Sequence, residues 1–148
     1  PTPGQLRTEG FLDELKNHPG LQVAAIKRAD SQRALAILKV EEALAEKLAF
    51  DAIYAQSDSM ALGAIMALKK NGIDPKTLPI TGIDFISDAR AAILAGELDA
   101  SFTYPTVGRE GAEAALTLID GGKPASKERI VPSITVTREN AERVKPIF

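Results

Sequence analysis

The sequence predicts a three-layer α/β fold, in which a mostly parallel sheet carries helices on both faces. Apolar runs of strand length alternate with segments of helical period along the whole chain, as expected when crossover helices cover a parallel sheet. The chain has 148 residues, of which 45% are hydrophobic and 26% charged, the size and balance of one ordinary globular domain. A single α/β unit spanning residues 1–148 is therefore expected.

A helix, a strand and a second helix are predicted before residue 50. The first helix begins at Pro3, because a first helical turn tolerates proline, and ends at His18-Pro19-Gly20. Leu21 to Ile26 follows as a short buried strand. The next helix, from about Ser31 to Ala49, has an apolar stripe that we expect to pack on the sheet, made of Leu35, Leu38, Ala45 and Leu48 and widened by Ile37 and Leu44.

The alternation continues after residue 50. The run 52–55 reads as a strand buried on both faces, and 60–70 as a helix that stops at Asn71-Gly72. The remaining predicted elements are strands over 80–83, 99–104 and 130–137 and helices over 88–94 and 107–119. Pro132 has no amide hydrogen, so the last extended piece belongs at an edge or a crossing rather than in the sheet centre.

Composition and motifs argue against several classes of function. The 18 basic and 20 acidic residues give a net charge of −2 without a basic cluster, which argues against direct nucleic-acid binding. The sequence has no cysteine, so it offers no thiolate zinc site and no Cys nucleophile. Its one histidine, His18, lies in a His-Pro-Gly helix stop as an exposed C-terminal residue, which argues against a Ser-His-Asp triad and a histidine metal cage. Neither glycine-rich nucleotide-binding loop is present. We therefore expect a non-enzymatic protein without cofactor or metal.

The predicted strand-to-helix junctions are polar. In an open parallel sheet the usual ligand site lies beyond the carboxyl ends of the strands. The residues there provide carboxylates, hydroxyls, an amide and a phenol, which suit hydrogen bonding to a polar ligand; the junctions read Ala29-Asp30-Ser31, Gln56-Ser57-Asp58, Asp84-Phe85 and Tyr104-Pro105-Thr106.

Helix capping is the alternative explanation for several of these residues. Ser31, Ser57, Asp58 and Thr106 all precede helices, where a side-chain oxygen commonly accepts a backbone amide. We interpret Asp58 and Thr106 as caps, and a cap at Asp58 would leave Ser57 free to face a cleft.

The positions of Asp84, Tyr104 and Arg7 differ in how strongly they indicate a functional role. Asp84 follows a buried apolar run and is poorly placed to cap the next helix, which favours a functional role. Tyr104 ends a strand, so its ring either fills the core or presents its hydroxyl to water or ligand. Arg7, by pattern alone, is an ordinary solvated helix arginine.

One long motif resembles a known family. Residues 50–64, FDAIYAQSDSMALGA, are similar to the F-D-A-[IV]-[FY]-A-x-N-D-x-M-A-L-G-A signature of periplasmic sugar-binding proteins of the ribose-binding type and of the effector domains of LacI-type repressors. The resemblance extends to Thr81-Gly82-Ile83-Asp84, to Tyr104-Pro105-Thr106 and, upstream, to Arg7-Thr8-Glu9-Gly10-Phe11. It thus covers essentially the whole chain.

The resemblance implies a domain division and a ligand site. Family members hold a sugar between two α/β lobes, and this chain corresponds to the C-terminal lobe (1–104) with a crossing segment and tail (105–148), the N-terminal lobe being absent. The implied sugar contacts are Arg7, Ser57 and Asp84, with the strand end Tyr104 as a weaker contact. Ser31 occupies the position where many members have an aromatic ring, and Ser57 the position where ribose binders have Asn, so a different sugar or another polar ligand is implied.

The resemblance also implies a function and partners. The stretches 100–106 and 135–140 look like those of the secreted members, which favours a periplasmic receptor of an ABC transporter that binds a sugar or polyol and works with a membrane permease. The alternatives are the sensing domain of a membrane histidine kinase and the effector domain of a LacI-type regulator; a flavodoxin-like enzyme is a weaker third. We expect a signal peptide to lie outside this sequence, which begins Pro1-Thr2. The segment 106–123 would lack its partner lobe, so a homodimer of the fragment is one expectation.

Overall fold

The computed structural model describes residues 2–123 and 126–148 and confirms the α/β class. Its elements follow in the order α1 (Pro3–Leu15), α2 (Arg33–Ala45), β1 (Ile53–Tyr54), α3 (Asp58–Lys70), a 3-10 turn (Pro75–Thr77), β2 (Ile80–Asp84), α4 (Ser87–Ala95), β3 (Ala100–Thr103), α5 (Gly108–Ile119) and β4 (Thr135–Thr137). None of the described helices is both long and apolar enough to cross a membrane.

The sheet is mostly parallel, as predicted. Its strands lie in the order β1-β2-β3-β4, of which the first three are parallel and β4 pairs antiparallel with β3. Since β1, β2 and β3 run in one direction, their carboxyl ends meet at one edge of the sheet. β4 closes the opposite side as an edge strand, and Pro132 lies just before it in the unpaired chain.

Helices cover both faces of the sheet. Gly82 of β2 faces α3, because a Cβ built there would meet Asp58 and Ala61. Tyr54 is in register with Thr81, one residue before Gly82, so its ring points to the opposite face. There it stacks on Phe11 of α1, with ring centroids 4.1 Å apart. The predicted three-layer arrangement is therefore confirmed.

The hydrophobic core lies between the sheet and the pair α3 and α4. Its buried members come from β2, β4, both helices and the loops after β2 and before β3, and include Ile65, Leu68, Ile80, Phe85, Ile93, Leu98 and Val136. The helix stops predicted for α3 and α4 are confirmed, since Asn71 is the C-cap of α3 and Gly96 ends α4 in the left-handed conformation, with φ 75°.

The predicted stripe of α2 is wrong. The buried residues of this helix are Ala36 and Ala43, whereas Leu38 is exposed. α2 packs on α3 rather than directly on the sheet, and it approaches closely because α3 carries glycine at Gly63. A close helix–helix contact selects small side chains, which the apolar periodicity does not reveal.

An alanine at Gly63 is expected to destabilise the fold by about 1–3 kcal/mol. The new Cβ would lie 2.6 Å from the carbonyl oxygen of Arg33 and 2.8 Å from the Cβ of Ala36, so α2 would have to move away. This cost exceeds the gain in helix propensity, about 1 kcal/mol. Gly10→Ala in α1 is the matched control, because no atom lies within 4 Å of its Cβ. Urea unfolding measures the effect: the midpoint of Gly63→Ala should lie below that of the wild type, and the midpoint of Gly10→Ala at or above it. Equal midpoints for Gly63→Ala and the wild type would contradict the close contact.

Two predicted strands need correction. Leu21 to Ile26 is neither buried nor a strand, and Leu21 and Ile26 are each 61% exposed, because no neighbouring strand within the described residues pairs with this segment. The strand predicted over 52–55 is reduced to Ile53–Tyr54, and both residues are only partly buried. β1 is an edge of this sheet, since it pairs with β2 alone.

α5 lies outside the core. The helix has no buried residue, and Leu116, Leu118 and Ile119 are each at least 59% exposed. The prediction that Thr106 caps this helix is wrong: the N-cap is Val107, which has a positive φ of 50° and makes no side-chain cap bond. An amphipathic helix with an uncovered apolar side is expected to have its packing partner elsewhere.

Candidate functional site

The candidate site lies at the edge of the sheet where β1, β2 and β3 end. Gln56 follows β1, Asp84 is the last residue of β2, and Tyr104 follows β3. Because the three strands are parallel, these residues are brought together although they are far apart in sequence.

Arg7 of α1 connects all three strand ends. Its Nη1 donates to the carbonyl oxygen of Gln56 at 2.5 Å, and its Nη2 donates to Oδ1 of Asp84 at 3.3 Å. The guanidinium carbon lies 5.3 Å from the centre of the Tyr104 ring, within the range of a cation–π contact. These contacts fix the orientation of the fork of donors.

α1 is held in place by a second contact beside Arg7. The side-chain amide of Gln56 donates to Oγ1 of Thr8 at 2.6 Å, and the stacked pair Phe11 and Tyr54 lies one turn further along the helix. Sequence reasoning did not single out Gln56 or Thr8 as supports of the site. Gln56 has a sequence signal as a polar residue at a strand-to-helix junction, whereas Thr8 is marked only by standing next to Arg7 in the family motif.

Asp84 combines partial burial with an unusual backbone. Burial raises the pKa of its carboxyl above the ordinary value, and the nearby Arg7 opposes this shift. Only Oδ1 receives a hydrogen bond from a donor of the described residues, so Oδ2 is available as an acceptor. Asp84 and Phe85 both have positive φ, 116° and 58°, a strained conformation for residues with side chains.

Tyr104 provides an aromatic surface at the edge of the site. Its side chain does not fill the core, because the residue is 51% exposed. One side of the ring contacts the Arg7 guanidinium, and the exposed part faces solvent. Of the two interpretations left open by the sequence, the structure agrees with the exposed one.

The predicted roles of Ser57 and Asp58 are both wrong. Ser57 is the N-cap of α3 and its Oγ accepts from the amide of Met60 at 3.3 Å, so the residue is 3% exposed and faces its own helix. Asp58 is not a cap: its carboxylate is fully buried and bonds to the amide of Ile86 and to Ser101. Ser57 is adjacent to Gln56 and hence to the site, but its hydroxyl oxygen already has a partner.

Ser31 is not brought together with the other predicted contacts. It lies in an exposed turn with Asp30, where both residues have positive φ, and no hydrogen bond connects it to Arg7, Asp84 or Tyr104. It does not cap α2 either, since the N-cap there is Gln32 without a side-chain bond. The structure therefore groups Arg7, Asp84 and Tyr104, places Ser57 beside them and leaves Ser31 apart.

The site is accessible to solvent, since the side chains of Arg7 and Asp84 are 21% and 28% exposed and Tyr104 is 51% exposed. Two cavities, of about 340 and 370 Å³, lie along α3 and α4, and neither is lined by Arg7, Asp84 or Tyr104. In the part of the chain that the structure describes, no cluster of His, Asp or Glu has the geometry to hold a metal. Donors, acceptors and an aromatic face on one exposed surface are suited to one side of a binding cleft.

The buried carboxyl of Asp58 is expected to make stability depend on pH. Desolvation raises its pKa to about 6, against the opposing effects of the hydrogen bonds from Ser101 and the Ile86 amide. Because the folded-state pKa is above the unfolded value, its contribution to stability is present at low pH and is lost as pH rises from about 4 to about 6.

Comparison with Asp58→Asn isolates this effect from other titrating groups. The free energy of unfolding of the wild type, relative to that of the variant, should fall by roughly 2–3 kcal/mol between pH 4 and pH 7. Urea unfolding of both proteins at several pH values measures it. A difference that stays constant or rises with pH would show that the carboxyl is not destabilised by burial.

Comparisons with known proteins match nearly the whole chain. Residues 2–123 fit the family model described as a periplasmic binding protein domain. The ribose import binding protein of Haemophilus influenzae is 32% identical over 82% of this chain, and the xylitol-binding protein of Mycolicibacterium smegmatis is 28% identical over 92% of it. A crystal structure of an ABC transporter solute binding protein from Bacillus halodurans with bound myo-inositol is 30% identical and superposes over 92% of the chain with a TM-score of 0.81.

The matched proteins are longer than this chain. It spans 41% and 39% of the ribose and xylitol proteins and 47% of the inositol-bound structure. The similarity therefore concerns about half of each protein.

Proposed function

Because this chain belongs to the periplasmic binding protein domain family, we propose that it forms one side of a cleft that binds a sugar or polyol without chemical change. The observation that carries the proposal is the Arg7 guanidinium, held 3.3 Å from the Asp84 carboxylate and against the ring of Tyr104. A hydroxyl-rich ligand could accept from Arg7 and donate to Asp84 through neighbouring hydroxyls, and charge-assisted bonds of this kind are strong once water is excluded.

The exposed ring of Tyr104 supports the same class of ligand. An aromatic face packs against the apolar C–H surface of a sugar, while Arg7 and Asp84 take its hydroxyls. Ser57 contributes less than the resemblance implies, because its oxygen caps α3. We therefore assign Arg7, Asp84 and Tyr104 as the principal contacts, with Ser57 at the border of the site and Ser31 outside it.

A second lobe is needed to complete the cleft. The site is open to solvent, and the relatives are about twice as long as this chain. We assign residues 1–104 to the C-terminal lobe and residues 105–148 to the crossing segment and tail. α5, which has no buried residue, would then pack its apolar side, Leu116, Leu118 and Ile119, on the other lobe. In the isolated fragment the same surface could pair two copies, which a light-scattering mass of one chain would exclude.

We propose that the whole protein works in the periplasm and delivers its ligand to the permease of an ABC transporter, which the match to a periplasmic binding protein domain supports. The solved structure with bound myo-inositol is itself a transporter solute binding protein. This supports transport over a repressor effector domain, whereas a sensor-kinase domain stays an alternative, because a fructose-binding periplasmic domain of a hybrid two component system is also 30% identical to this chain. The first codons of the gene offer a quick check: they should encode a signal peptide rather than a helix-turn-helix.

Isothermal titration calorimetry on the full-length protein tests the binding function. The panel should contain pentoses, hexoses, and acyclic and cyclic polyols, including D-ribose, xylitol and myo-inositol. We expect micromolar or tighter binding of at least one member. Binding of none of them at millimolar concentration would refute the proposed ligand class.

A further inference from the structure

The turn that carries Asp84 into the site has a conformation that its own residues do not favour. Asp84 and Phe85 are consecutive non-glycine residues with positive φ, each an unfavourable backbone state. Such strain persists only where the surroundings determine the conformation. Phe85 provides part of this, since its side chain is fully buried in the core.

A buried hydrogen-bond network fixes the backbone of the same turn. The amide of Phe85 donates to Oγ of Ser101 at 3.1 Å, and the amide of Ile86 donates to Oδ2 of Asp58 at 2.9 Å. The Ser101 hydroxyl donates in turn to Oδ1 of Asp58 at 2.7 Å. Both oxygens of the Asp58 carboxylate are thus used, and both backbone amides after Asp84 are bonded.

Strand β2 and helix α4 both accommodate the Asp58 carboxylate. A Cβ at Gly82, two residues before Asp84, would overlap Oδ1 of Asp58. Helix α4 begins immediately after the turn, and its N-cap residue Ile86 has no side-chain cap of its own, so Asp58 supplies the acceptor from α3. Asp58 and Ser101 are both fully buried and cannot touch a ligand.

We propose that Asp58 and Ser101 are positioning residues, which set the place of the Asp84 carboxylate opposite Arg7 by holding the turn that follows it. The inference rests on the proposed function for its effect on binding, but the effect on the turn is independent of any ligand. The charge of the Asp84 carboxylate also raises the pKa of Asp58, although desolvation is the larger cause.

Ser101→Ala is the leading variant, because it removes one hydroxyl and keeps the carboxylate. Ser133→Ala is the matched control: its hydroxyl also donates to a neighbouring strand end, the carbonyl of Thr103, but lies outside the network. Amide hydrogen exchange of the full-length protein gives a readout without ligand. We expect exchange of the Phe85 and Ile86 amides to speed up about tenfold or more in Ser101→Ala, while the Leu68 amide of the core changes little.

Ligand affinity provides the second readout, through a double-mutant cycle with Asp84→Asn. The probes are D-ribose, xylitol and myo-inositol. If Ser101 acts through Asp84, Ser101→Ala should weaken binding about tenfold in the wild type and hardly at all in the Asp84→Asn background. Equal losses in both backgrounds would overturn the positioning role, as would unchanged exchange at Phe85 and Ile86. If none of the probes binds the wild type, the proposed function fails, and the exchange result alone decides the inference about the turn.

Discussion

Replacing Asp84 by Asn in the full-length protein is expected to weaken sugar binding by about 30-fold or more, equivalent to at least about 2 kcal/mol. The amide side chain keeps the size of the carboxylate but loses the charge that pairs with Arg7 and one of its two acceptor oxygens. Asn tolerates a positive φ better than most residues, so the backbone of the turn should be retained. Calorimetric titration with the best ligand of the panel measures the change.

Asp13→Asn is the control for this variant. It makes the same chemical change at an exposed carboxylate of α1, which pairs with Lys16 on the surface. The Asp13→Asn variant should bind the ligand with wild-type affinity, because surface ion pairs contribute little to stability. If Asp84→Asn bound as tightly as Asp13→Asn, Asp84 would not contact the ligand.

Arg7→Lys is expected to reduce affinity by about 10- to 100-fold, although the charge is kept. The planar guanidinium reaches the Gln56 carbonyl, the Asp84 carboxylate and the Tyr104 ring at once, whereas a lysine ammonium is a single point donor. The ligand would lose a fixed donor and face a more mobile cation. The same calorimetric titration measures the loss of affinity.

Arg28→Lys serves as the comparison, since Arg28 is exposed and lies in the unpaired segment after α1. That substitution should leave binding unchanged within about twofold. Wild-type affinity in Arg7→Lys would show that charge alone suffices and that the fork geometry is not used.

The sequence predicts the layers of the fold better than its contacts. Alternating strands and helices fix the class, and local stops such as Asn71 and Gly96 are recognisable because their chemistry acts within one helical turn. Whether Leu21 to Ile26 becomes a strand depends on a neighbouring strand, which no local pattern can report. The face of α2 at Ala36 is set by the close approach to Gly63, again a non-local contact.

The residues of the candidate site also divide into those that a local sequence pattern predicts and those that depend on distant contacts. Asp84 is recognisable because a carboxylate follows a buried apolar run, but Arg7 resembles any surface arginine, and only the family motif singles it out. Asp58 looks like a helix cap because it stands at the start of α3. Its actual partner, Ser101, is 43 residues away, and that distance hides the network from any reading of neighbouring residues.

A crystal structure of the full-length protein with its ligand tests the central assignment most directly. We expect ligand hydroxyls within hydrogen-bond distance, about 2.6–3.2 Å, of both the Arg7 guanidinium and the Asp84 carboxylate, with the Tyr104 ring against the ligand. A ligand bound elsewhere, with Arg7 and Asp84 paired only to each other, would contradict it.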